Sequence, residues 1–195
     1  MNYLILINKD NPVENIDDSD FLNIVNKRLF NEDKTNQWFS IERETYQAFL
    51  DLQENARRLG YDIEIDDGYR SIKEQQDLKE KFQKLNKGDL VAEPGTSEHH
   101  SGLSIDIVIF RNNELEDEDK RERYDTLEEI IWLNNNCHKY GFIIRYPKGK
   151  EEITKYSYEP WHIRYVGKEA ALYMHLFHET LEEFHEKLNK KQRIR

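Results

Sequence analysis

Apolar and polar positions along this chain follow two periods, and the points where the period changes mark out its elements. Over residues 40–59, Tyr46, Phe49, Leu50 and Leu52 take the one-sided spacing of an amphipathic helix. Ser40 could cap its start, Glu42 and Glu44 sit early, and Gly60 follows its end. Tyr61 to Ile65 then alternates as a strand, and Ser71 to Leu85 returns to a polar helix. From Gly102 to Phe110 the alternation is strict. Leu103, Ile105, Ile107 and Ile109 share one face, and Ser104 and Asp106 the other. The run Arg111 to Arg123 is dense in charge and reads as a solvated loop or short insertion. A helix is predicted from Asp125 to Tyr140, stopped by Gly141. Strands are predicted near 142–145, 151–157 and 161–166, and helices over 168–178 and 180–190. This order predicts an α+β fold with a central antiparallel sheet flanked by helices.

Composition narrows the possibilities. A chain of 195 residues suits a single domain, here 1–195 with its core at about 6–184, and can bury a core without covalent staples. Charged residues make up 35% and the formal net charge is -10. That balance argues against nucleic acid or an anionic membrane surface as partner, since both favour basic patches. No apolar stretch approaches the roughly 20 residues needed to span a bilayer. Tyr3 to Ile7 is too short for a signal-peptide core, so the chain as written is expected to be cytoplasmic. A cell-wall protein whose leader had been removed would read the same way. The single cysteine, Cys137, excludes an intramolecular disulfide, and its apolar neighbours predict a buried small hydrophobe. Oligomeric state leaves no mark on the sequence.

The chemistry concentrates in two segments, Ser97-Glu98-His99-His100-Ser101-Gly102-Leu103-Ser104-Ile105-Asp106 and Tyr158-Glu159-Pro160-Trp161-His162. Zinc is commonly held by three His or carboxylate ligands with a fourth position left open. His162, Asp106 and one of the paired histidines His99 and His100 supply such a set. Asp106 lies in an isoleucine-rich strand, where a carboxylate needs a partner or a metal. Glu159 precedes His162 by three residues across Pro160, whose restraint on the backbone allows a bend aiming both side chains into one cleft. A carboxylate outside the ligand set can act as general base on water. Arg70 follows the turn signature Asp67-Gly68-Tyr69, and its planar, permanently charged fork suits an oxyanion or carboxylate. His175, His178 and His185 read as solvated helix histidines, with no convincing carboxylate or cysteine to complete a second metal site.

The pattern S-x-H-x6-D followed by E-P-W-H resembles the zinc D-alanyl-D-alanine carboxypeptidases of the VanY type, including their dual dipeptidase/carboxypeptidase relatives linked to vancomycin resistance. Gly68-Tyr69-Arg70-Ser71 with Gln75, Pro94-Gly95, Gly141 to Pro147, and Arg164-Tyr165-Val166-Gly167 fall in the family's order. The resemblance extends from Leu6 to about Phe184. It implies one Zn2+ per chain held by His99, Asp106 and His162, in a cleft on the sheet. It also chooses His99 over His100, because the family's ligand stands two residues after the serine. It further implies Glu159 as base, Arg70 on the scissile carbonyl or oxyanion, Gln75 and Ser97 on the substrate's terminal carboxylate, and Tyr146 beside the cleft. The implied activity is removal of a C-terminal D-alanine from peptidoglycan stem peptides or their precursors. The alternatives are a cytoplasmic D,D-dipeptidase or dual-activity enzyme on free D-Ala-D-Ala, an L,D-carboxypeptidase, since the same zinc residues serve both linkages, and, less well matched, a phage-type lytic peptidase. A non-catalytic stem-peptide-binding module would be expected to lack Glu159. Ser104 stands where the family usually has alanine, Asp67 where many members have serine, and Lys155 where many have glycine.

Overall fold

The computed structural model of the chain describes residues 1–16, 18–30, 36–88, 91–116 and 124–193. Its centre is an antiparallel sheet in the order β3-β4-β7-β6, from β3 (Asp62–Asp67), β4 (Ser104–Arg111), β6 (Phe142–Ile144) and β7 (His162–Tyr165). The fold is therefore α+β with helices flanking the sheet, as the pattern predicts. β4 is the middle strand because its apolar face is continuous: Ile105, Ile107 and Ile109 are fully buried against α1 (Arg43–Arg58) and its surroundings. Val108 and Phe110, on the other face, pack with Leu29 into a separate small cluster.

The ribbon of β1 (Phe21–Phe30) and β2 (Asn36–Glu42) is not signalled by the sequence. A two-stranded ribbon is marginal alone and takes its stability from what it packs on. Here it leans on the turn after β3: the Tyr69 N–H donates to the Ser40 carbonyl at 2.6 Å, and the Glu42 N–H donates to the Gly102 carbonyl at 3.0 Å. Gly102 has φ +68, and a Cβ there would come within 2.4 Å of the Phe21 ring. β2 also moves the predicted start of α1 from Ser40 to Arg43. The Ser40 hydroxyl donates to Asn23 across the ribbon, and Glu42 caps the helix by accepting from the Thr45 N–H at 2.8 Å.

α2 (Ile72–Lys84) begins at a reciprocal capping box between Ser71 and Glu74. Within the charged run, Asn112 and Asn113, at φ 54 and 65, turn β4 into β5 (Glu114–Leu115) as a tight hairpin. Residues 117–123 of that run lie outside the described residues. The predicted helix over 125–140 divides into α3 (Glu128–Asn136) and a 3₁₀ turn, Cys137–Tyr140.

The strand expected near 151–157 is instead a short helix, α4 (Glu151–Thr154). Lys155 ends it at φ 63, in the left-handed region that explains why glycine suits this position. The segment satisfies its backbone locally instead: the Thr154 N–H donates to the Lys150 carbonyl at 3.0 Å and the Lys155 N–H to the Glu151 carbonyl at 2.9 Å. α5 (Lys168–Phe177) and α6 (Leu181–Arg193) close the chain. Among the described residues, no helix is long and apolar enough to cross a membrane.

Candidate metal centre and its surroundings

Three strands deliver the centre through their register. Asp106 pairs with His162 on β7 and with Asp67 on β3. The β3 partner depends on a bulge: Ile65 opposes Ile107, yet Asp67, two residues on, opposes Asp106, the very next step. The extra residue turns Asp67 onto the same face as Asp106. His99 arrives from a 3₁₀ turn, Glu98–Ser101, that ends at Gly102 just before β4.

His99, Asp106 and His162 present one donor atom each, all within 4.8 Å of one another. His99 Nδ1 lies 2.6 Å from the Gly68 carbonyl, which can only accept, so its proton sits there and Nε2 is free to act as a ligand. Gly68 gains its place by close approach, since a Cβ there would sit 2.6 Å from the Ser40 carbonyl oxygen. His99 Nε2 stands 3.5 Å from Asp106 Oδ2, and His162 Nδ1 stands 2.8 Å from Asp106 Oδ1. Two ligands about 2.0–2.1 Å from one tetrahedral ion stand about 3.3–3.5 Å apart, so the first spacing already fits zinc. His162 Nε2 is buried and has no hydrogen-bond partner among the described residues. Burial would raise the Asp106 carboxyl, but the two imidazoles overcome it and hold the group ionised, well below its usual range. Donor type, spacing and burial together fit a zinc ion.

His100 does not belong to the set. Its Nδ1 donates to the Arg70 carbonyl at 2.7 Å and its Nε2 accepts from the Gly95 N–H at 3.0 Å, so both nitrogens are spent on backbone. Burial also depresses its pKa and keeps it neutral. Zinc content should therefore be lost in His99→Ala and retained in His100→Ala. Metal analysis of protein purified without chelator checks this, and the reverse result would reassign the ligand.

Glu159 lies in the turn before β7, where the His162 N–H donates to the Glu159 carbonyl at 3.2 Å. That turn, rather than a regular strand, brings Glu159 Oε2 to 3.9 Å from His162 Nδ1. The Glu159 N–H donates to the Tyr146 carbonyl at 3.0 Å. Tyr146 is only 5% exposed and its ring packs 5.0 Å from that of His162, so it braces the histidine.

Arg70 pairs with Asp67 and donates to Gln75 Oε1 at 2.8 Å. Gln75 is fully buried and its Nε2 donates to the Ala92 carbonyl at 2.7 Å, so both ends of its amide are engaged and it holds Arg70. Ser97, 5% exposed, stands at the entry to the 3₁₀ turn with no side-chain capping bond.

Behind the donors lies a cluster whose role the sequence reading did not assign. Glu98, fully buried, pairs with Arg164 and with Arg145 at 3.1 Å. Arg145 also pairs with Glu182 at 2.6 Å, and Ser104 Oγ donates to Glu98 at 3.3 Å. Burial alone would raise the Glu98 carboxyl; Arg164 and then Arg145 override it and hold the group at about 2. The available signal was two arginines, Arg145 and Arg164, inside otherwise apolar strands, where a charge requires a partner.

The remaining titratable groups lie outside this constellation. His175 stacks on His138 at 3.6 Å, His178 forms the left-handed cap of α5, and His185 bonds to the Leu4 carbonyl. Cys137 is buried, as expected, and burial pushes its thiol up to about 12.

A 3₁₀ turn and two strands of the sheet gather two imidazoles and a carboxylate, with a second carboxylate 3.9 Å away, the donor set of a metal-dependent hydrolase. The chain belongs to the VanY family of D-alanyl-D-alanine carboxypeptidases, which it matches over residues 39–168. It is 35% identical over 198 residues to VanXYC of Enterococcus gallinarum, a bifunctional D-Ala-D-Ala dipeptidase and D-Ala-D-Ala carboxypeptidase; the match covers 96% of each chain. Among solved structures, the LdcB LD-carboxypeptidase superimposes with a TM-score of 0.81 at 38% identity, covering 95% of this chain and 86% of that one. A variant of the vancomycin-resistance D,D-pentapeptidase VanY in complex with Zn(II) gives 0.69 at 30% identity, covering 94% and 99%.

Proposed function

We propose that this protein is a carboxypeptidase that carries one zinc ion, held by His99, Asp106 and His162, and removes the C-terminal D-alanine from peptidoglycan stem peptides or their precursors. The observation that carries the reading is Glu159: its carboxylate stands 3.9 Å from a donor atom of the cluster yet lies outside the donor set. Zinc bound at such a centre polarises a carbonyl and acidifies a water molecule. Glu159 takes a proton from the attacking water and hands it to the leaving amine. Arg70, its fork held by Asp67 and Gln75, donates to the oxyanion that develops on the scissile carbonyl. Ser97 receives the substrate's terminal carboxylate, with Gln75 acting through Arg70.

A second reading, L,D-carboxypeptidase action on tetrapeptides, is favoured by the higher TM-score and identity to LdcB. Mass spectrometry of products from D-Ala-D-Ala, a pentapeptide and a tetrapeptide, each with zinc-loaded protein and with chelator, separates the readings. Release of D-alanine from the pentapeptide, abolished by chelator, is expected. Cleavage of the tetrapeptide alone would establish the second reading, and no cleavage of any peptide would leave a binding module.

Arg70→Lys should lower kcat, because an ammonium cannot reproduce the guanidinium fork between Asp67, Gln75 and substrate. Steady-state kinetics on the cleaved peptide checks this. A raised KM at unchanged kcat would assign Arg70 to substrate docking instead.

A further inference from the structure

A cavity of about 400 Å³ lies between the β1–β2 ribbon and α2, within the size range of small-ligand sites. Two of its lining residues belong equally to the centre. Asp67 is the register partner of Asp106, and the Arg70 N–H donates to the His99 carbonyl at 3.1 Å. The cavity therefore adjoins the centre on the side of Asp67 and Arg70, while its lining holds none of the three donors. Its outer wall is Trp38, which leaves 67% of its surface exposed, with Leu78, Asn23 and Ser40 beside it. An indole left in water costs hydration free energy that a covering ligand would recover. Apolar surface interspersed with amide and hydroxyl groups suits an extended peptide, whose backbone is polar and whose side chains are in part apolar.

We propose, resting on the peptidase reading above, that this groove holds the segment of a stem peptide that precedes the scissile bond, and that Trp38 is a specificity-determining residue. A free D-Ala-D-Ala dipeptide has no such segment and gains nothing from the groove. The ribbon therefore sets the preference for longer peptides, while the metal centre treats both substrates alike.

The test compares zinc-loaded wild type, Trp38→Ala and Trp38→Phe on a pentapeptide ending in D-Ala-D-Ala and on the free dipeptide. Trp38→Ala is expected to raise KM for the pentapeptide about tenfold at unchanged kcat, the signature of lost uniform binding. Trp38→Phe should recover most of the loss, and neither variant should alter the dipeptide constants. Equal effects on both substrates, or none on either, would overturn the proposal. Calorimetric titration of the pentapeptide keeps this separate from the reading it rests on. If wild type cleaves neither peptide, the peptidase reading fails; weaker pentapeptide binding by Trp38→Ala still supports the groove, and equal binding overturns it.

Discussion

Glu159→Gln is expected to keep its zinc and to lose at least about 10²-fold in turnover, within the roughly 10²–10⁴-fold that a positioned general base contributes. The substitution preserves size and removes the basic carboxylate. It leaves untouched the three donors, which lie within 4.8 Å of one another without help from Glu159. The backbone bond from the Glu159 N–H to the Tyr146 carbonyl also survives, so the turn before β7 should keep its shape. The loss falls on kcat because Glu159 handles the proton only in the chemical steps, as water attacks and as the amine leaves. Zinc content and steady-state kinetics on the same preparation are the required pair of measurements. Substantial residual turnover would sink the mechanism. Loss of zinc together with activity would make Glu159 a ligand and leave the base unassigned.

Glu98→Gln should cost about 3–5 kcal/mol of folding stability, the usual penalty for removing one partner of a buried ion pair. Glu98, Arg145 and Arg164 have side chains with no solvent exposure, so no water can replace the lost charge. Arg145 would keep Glu182, and Arg164 its backbone acceptors, the Tyr3 and Ile5 carbonyls, but Arg164 would lose the carboxylate it pairs with. Glu98 also adjoins His99 in sequence, and Arg164 stands two residues beyond His162. The same ion pair therefore ties together the segments that carry two donors. Urea unfolding followed by far-UV circular dichroism measures the cost. A midpoint equal to wild type would mean the cluster is not a source of stability.

Much of the fold was legible where one period ran long enough. The isoleucines of β4 fixed a strand, a buried face and the face that carries Asp106, because side chains alternate across a strand whatever surrounds it. The polar helix expected from Ser71 to Leu85 is α2, and the structure starts it with a capping box between Ser71 and Glu74. The chain also misled locally. Ser40 looked like a helix cap, and only pairing with Asn23 across the ribbon shows that it belongs to β2. Residues 151–157 suggested a strand, but the backbone from Lys150 to Lys155 closes its hydrogen bonds on itself as one helical turn.

The site divides along the same line. The sequence by itself determined the donor types, the three-residue spacing of Glu159 from His162, and the family that the whole pattern resembles. These properties rest on the chemistry of single residues and their order. The tertiary structure decided which histidine is free: His100 has both nitrogens committed to the Arg70 carbonyl and the Gly95 N–H, whereas His99 spends only Nδ1 on Gly68. It decided that Gln75 holds Arg70, that a bulge turns Asp67 toward the centre, and that Glu98 anchors both donor segments through buried arginines. Hydrogen-bond commitments and strand register arise between segments distant in the chain, so no local pattern encodes them and only the folded arrangement fixes them.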